Sequence, residues 1–179
     1  ALALTLKEFP YANRRICRFM GIGPVRFQEF DDINIAIASE VNIAGKEYVA
    51  YADVLKNVDQ ASFQEISEWL RAYSSDYRKN PQWIDFSRVI EKTPRWLSAF
   101  MLGFAKYSSS FWAKYRGGAA MISSPGKYGS DFIIGAWPCP IGISFGFAKE
   151  RPIVINHAVV AKPTFYLTLN FDRRVMAGA

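Results

Sequence analysis

The chain has 179 residues, half of them apolar and 16% aromatic, which suits one globular domain with a substantial core and leaves little room for a second. Its 22 Lys and Arg against 16 Asp and Glu give a net charge of +6, but the cations are scattered in runs no longer than pairs such as Arg14-Arg15 and Arg173-Arg174, which argues against a nucleic-acid partner. Two cysteines, Cys17 and Cys139, make no disulfide framework and point to a reducing intracellular compartment, while a single histidine, His157, excludes the common zinc arrangements.

The first stretch, ALALTLKEF, reads as a helix without an initiating Met, and the last residues form the loop after a strand, so both ends read as cut. RRICRFMGIGPVRFQEF (14–30) has a Gly-x-Gly-Pro break between strand-like stretches and is expected to be a hairpin or bent ribbon. INIAIASEV (33–41) and KEYVAYADVLK (46–56) follow as two strands able to pair. Ser62 stands three residues before Glu65, the capping box that satisfies open N–H groups at a helix start, and Phe63, Ile66, Leu70, Tyr73 and Tyr77 then make one apolar face.

A further helical region is expected over about Pro94 to Tyr115. Its stretch WLSAFMLGFA is apolar on nearly every side, yet Arg95 and Lys106 bound only ten uncharged residues, where a membrane span needs about twenty. A buried core helix is therefore expected; attachment to a surface through Trp96, Phe100, Phe104, Tyr107, Phe111 and Trp112 is the alternative. Beyond it, GGAAMISSPGKYGSDF (117–132) holds a short strand closing in a Ser-Ser-Pro-Gly turn, PIGISFGFAK (140–149) alternates apolar with small residues, and RPIVINHAVVAKPTFYLTLNF reads as a hairpin turned at Asn156-His157 and running into another strand. In TFYLTLNF (164–171) the apolar Phe165, Leu167, Leu169 and Phe171 share one face, the period of two of a half-buried strand.

That strand runs into Asp172-Arg173-Arg174-Val175-Met176-Ala177-Gly178-Ala179. The segment resembles the D-H-R-V-x-D-G-A that ends the corresponding strand in the catalytic domain of the dihydrolipoamide acyltransferases of 2-oxo acid dehydrogenase complexes. Asp172, Arg174, Val175, Gly178 and Ala179 agree with it; Arg173 stands in place of the histidine and Ala177 in place of the aspartate. The order of further landmarks agrees too: Ile122-Ser123-Ser124-Pro125-Gly126 for the I-S-N-L-G or I-S-S-L-G turn, then Trp137-Pro138, Phe145-Gly146 and Arg151-Pro152-Ile153-Val154. LKEFPYANRRI matches K-x-x-P-x-x-N-A more faintly. The resemblance is greatest to the short stand-alone bacterial members.

The resemblance implies one α/β domain over 1–179, an α+β two-layer sandwich with the chloramphenicol acetyltransferase-like mixed sheet flanked by helices. It further implies a homo-oligomer, a trimer or larger core with sites between subunits and with other 2-oxo acid dehydrogenase components as partners, in bacterial cytoplasm or mitochondrial matrix. No permanently bound cofactor is implied; coenzyme A or a lipoyl thiol would be substrate. In the family the histidine takes the thiol proton, the serine of the turn donates to the oxyanion, and the aspartate holds the geometry. Ser123 keeps its role on this pattern, with Asp172, Arg174 and Gly178 as the supporting motif. A guanidinium cannot accept a proton, so general base catalysis, commonly about 10²–10⁴-fold, is lost at Arg173. A subunit that serves assembly is the expected function, and an active acyltransferase of unusual chemistry the alternative. As substitute groups, Cys139 reads as a buried inert thiol and His157 as an exposed turn residue, and Ser123 itself has the competing role of satisfying turn backbone groups.

Overall fold

The computed structural model describes residues 1–18, 23–43, 47–75, 77–105 and 107–176. Helix α1 (Leu2–Glu8) leads through a short 3₁₀ turn into strand β1 (Arg14–Cys17), which pairs antiparallel with β2 (Arg26–Glu29) as the expected ribbon; positions 19–22 of its turn lie outside the described residues. β3 (Ile35–Ile43) and β4 (Glu47–Leu55) form an antiparallel pair in register from Ile35↔Leu55 to Ile43↔Glu47. Then come α2 (Phe63–Ser75), α3 (Pro81–Lys92), α4 (Arg95–Ala105) and α5 (Ser109–Arg116), followed by β5 (Ala120–Ser123), β6 (Ile141–Phe145), β7 (Lys149–Ile155), β8 (Ala158–Thr164) and β9 (Leu167–Phe171).

Five of these strands make one mixed sheet in the order β4-β3-β5-β6-β9, parallel from β3 through β6 and antiparallel at both edges. Its pleat sorts the core. The row Ile35, Ala120 and Ile141 faces α1, where Leu6 and Ala3 pack on it, whereas the next row, Ala36 and Met121, turns to the other face and meets Trp112 of α5 and Cys139. The sheet is thus flanked by helical side chains on both faces. Gly142 belongs to the second row, and a Cβ there would lie 2.3 Å from the Trp137 ring, so the bare backbone lets that indole lie against β6.

The capping box is present as written: Glu65 N–H donates to Ser62 Oγ at 3.2 Å and Ser62 N–H to Glu65 Oε2 at 2.7 Å. Three expectations need correction. The region 94–115 is two helices rather than one, because Ser108 caps a new start by accepting from Phe111 N–H at 3.3 Å. α4 is not buried: Trp96 is 72% and Phe100 63% exposed, since α4 packs along α3 rather than beneath the sheet. TFYLTLNF is not one strand either. Thr164 ends β8, and β9 begins only at Leu167. The apolar side of β9 continues the face that α1 covers, but α1, about 10 Å long, does not reach the edge strand, so Leu167, Leu169 and Phe171 stay exposed.

Candidate functional site

Ser123 is the last residue of β5, aligned with Ala38 on β3 and Ser144 on β6. It opens on a cleft of about 330 Å³ whose wall includes Ile37, Ile122, Ile133, Phe145 and the buried Tyr73 of α2. The turn after it is held by Ser124, whose hydroxyl donates to the Phe145 carbonyl at 2.9 Å and accepts from Gly126 N–H at 3.3 Å. Ser124 thus takes the backbone-satisfying task that the sequence left open for Ser123.

The sequence did not single out the polar rim of this cleft. Glu40, two residues beyond Ala38 on β3, meets Lys127 Nζ at 3.1 Å and accepts from the Tyr128 hydroxyl. The Tyr128 hydrogen bond, then Lys127, holds its carboxyl below the ordinary 4.5. In sequence the Gly-Lys-Tyr that follows Ser-Ser-Pro reads only as turn; in the structure Lys127 and Tyr128 line the same cleft as Ser123.

Arg173 lies at the other end of the sheet. Through the register, Ser123 is level with Ser144 and so with Thr168, whereas β9 leaves the sheet at Phe171, level with Ile141 and Ala120. That separates the end of β9 from Ser123 by roughly 10 Å along the strands and roughly 10 Å across two strand spacings, with Arg173 two residues further out. Arg173 is exposed on the turn 173–175. Asp172 builds this turn: its carboxylate accepts from Arg174 N–H at 3.0 Å, from Nε at 2.9 Å and from Nη2 at 2.6 Å, and the Arg174 bonds hold it below the ordinary 3.8. Val175 is buried, and its carbonyl accepts from Arg14 Nη2 at 2.9 Å. Ala177 and Gly178 lie outside the described residues.

A second cleft of about 590 Å³ opens beside this turn, lined among others by Arg15, Arg18, Trp137, Asn170, Asp172 and Arg174. Arg15, 5% exposed, donates from Nε to Gln28 Oε1 at 2.7 Å and stacks over Trp112 with its guanidinium carbon 3.9 Å from the ring centroid; burial lowers its pKa. Cys139, also on this wall, is buried and its thiol is pushed up to about 12 by desolvation, which makes it a poor nucleophile. His157 sits exposed at the β7–β8 turn with φ 64° and lines neither cleft. Among the described residues no group of His, Cys, Asp and Glu side chains could hold a metal ion, and no helix is long and apolar enough to cross a membrane.

No protein-family model and no curated protein matches the chain. Solved structures do. A probable dihydrolipoamide acetyltransferase from Listeria monocytogenes aligns over 98% of this chain and 59% of its own, at 24% identity and a TM-score of 0.60. The Azotobacter vinelandii dihydrolipoamide acetyltransferase, in a structure concerned with the catalytic roles of a serine, a histidine and an asparagine, aligns over 99% and 58%, at 19% identity and a TM-score of 0.61. The cubic core of the pyruvate dehydrogenase multienzyme complex aligns over 99% and 58%, at 21% identity and a TM-score of 0.56. The chain therefore has the fold of these catalytic cores and spans 58 to 59% of the length of the three.

Proposed function

We propose, from the fold shared with dihydrolipoamide acetyltransferase cores, that this chain is an acyltransferase-fold subunit that serves the assembly of a trimeric or larger core and transfers acyl groups weakly or not at all. The observation that carries the proposal is the exposed guanidinium of Arg173 on the turn after β9, where the resemblance puts the general base. Arginine there can pair with an anion but cannot take a thiol proton. Ser123 stands too far away within the same chain to act with this turn, so any joint site needs a second copy. The exposed Leu167, Leu169 and Phe171 give such a copy an apolar edge to cover. A bound thiol would be coenzyme A or a lipoyl group, with the other components of a 2-oxo acid dehydrogenase complex as partners, in bacterial cytoplasm or mitochondrial matrix.

The test joins mass and turnover. Light scattering is expected to give a trimer or a multiple of it, and acyl-CoA donors with dihydrolipoamide are expected to show negligible transfer. Arg173→His should restore part of the activity, and adding Ala177→Asp more, because a positioned imidazole works better than a loose one. A monomer at working concentration would remove the assembly role.

A second reading, an active acyltransferase of unusual chemistry, is favoured by one observation: among the described residues it is the Ser124 hydroxyl that holds the turn, which leaves Ser123 available to an oxyanion. Turnover by the unmodified chain at about 1–10³ per second would establish that reading in place of the first.

A further inference from the structure

We propose that the cleft between β1 and the turn after β9 binds a small organic oxyanion, a carboxylate or a phosphate, held by Arg15, Arg18, Trp137 and Asn170. Two observations meet there. The first is charge: Arg15, Arg18 and Arg174 line the cleft against one carboxylate, Asp172, which already accepts three bonds from Arg174. The second is unused donors. Trp137 Nε1 and Asn170 Nδ2 are buried atoms without a hydrogen-bond partner, and both side chains line this cleft.

The two donors are neighbours by construction. Asn170 on β9 pairs with Gly142 on β6, and it is over Gly142 that the Trp137 ring lies. Donors left without acceptors inside a protein are costly, and a water molecule would satisfy them without answering the surrounding positive charge. An oxyanion does both, because its oxygens accept from N–H groups while its charge faces the planar forks of the arginines. Trp137 and Pro138 on the same wall provide an apolar surface for the organic part of the ligand. The cleft adjoins the turn that carries Arg173, but the proposal does not rest on the acyltransferase reading, since Arg15, Arg18, Trp137 and Asn170 are not residues of that motif.

The full chain in low salt is titrated by calorimetry with inorganic phosphate and glycerol phosphate in one arm and with succinate and benzoate in the other. Saturable binding at millimolar concentration or tighter is expected in at least one arm, and the arm that saturates tells phosphate from carboxylate. Trp137→Phe, which keeps the ring and removes the N–H, and Arg18→Gln, on the exposed rim, are each expected to weaken binding about tenfold or more. No saturation in either arm would overturn the proposal and leave water as the partner of the two donors. Binding of unchanged strength in both variants, with circular dichroism showing both folded, would overturn it equally.

Discussion

Ser124 and Phe145 are tied by a hydrogen bond of 2.9 Å from the Ser124 hydroxyl to the Phe145 carbonyl, which joins the turn after β5 to the end of β6. Ser123 lies one residue away and lines the cleft. Because the two serines divide the work, their alanine variants should differ. Ser124→Ala is expected to lower stability by about 1 kcal/mol and Ser123→Ala by less than about 0.5 kcal/mol, measured by urea unfolding. Equal losses would return Ser123 to a turn-holding role.

The cysteines should separate kinetically. Cys139 is 4% exposed with its thiol pushed up to about 12, whereas Cys17 is partly exposed. With a thiol reagent at pH 8, the folded chain is expected to label at Cys17, and Cys139 to label only after denaturant is added. Rapid labelling of both in the folded state would contradict the burial of Cys139.

Much of the fold was legible because its signals are local. The capping box, the two-residue turn at Asn156-His157 and the alternation along β3 and β6 depend on neighbours in sequence. The exposure of Trp96 and of the β9 face was not, because burial depends on what stands opposite: α4 and β9 have the composition of covered elements, and only the three-dimensional arrangement shows them uncovered. The same limit applies to the clefts. The motif brought out Ser123 and Arg173, but their separation follows from strand register, and the placing of Arg15 and Asn170 around one cleft follows from a three-dimensional arrangement that no spacing reveals.

Gly146 should tolerate no side chain. A Cβ built there would lie 1.7 Å from the Asp131 carbonyl oxygen, a backbone atom that cannot rotate away as a side chain could. Gly146→Ala is expected to cost about 3 kcal/mol or to abolish folding, by thermal melting. A loss under about 1 kcal/mol would show that the 131–133 segment shifts freely.

Acid should loosen the β7–β8 hairpin before the sheet. Asp131 accepts from Lys149 Nζ at 2.9 Å and from Arg151 Nη2 at 2.6 Å, and these partners, Lys149 first, hold its carboxyl below the ordinary 3.8. A folded value below the unfolded one means that the contribution is fully present above about pH 4 and is lost as pH falls through the lowered value. Amide exchange in β7 and β8 is expected to quicken over that range, and Asp131→Asn to remove the dependence. Hairpin exchange that does not change with pH there would deny the tie.

The sheet order has a consequence for how the chain can fold as it is made. The β7–β8 hairpin pairs Ile155 with Ala158 next to its own turn, where Asn156 and His157 take φ 51° and 64°, so it can close within microseconds once synthesised. The central ladder joins Ile35 to Ala120 across β4 and all of α2 to α5. Until the ribosome has passed β5, β3 has only β4 to pair with, and β9, last to emerge, docks on a β6 that must already be in place. Growth of the sheet is therefore ordered by translation from one edge to the other, and its slow step is the long closure that brings β5 onto β3 rather than the fast local hairpin.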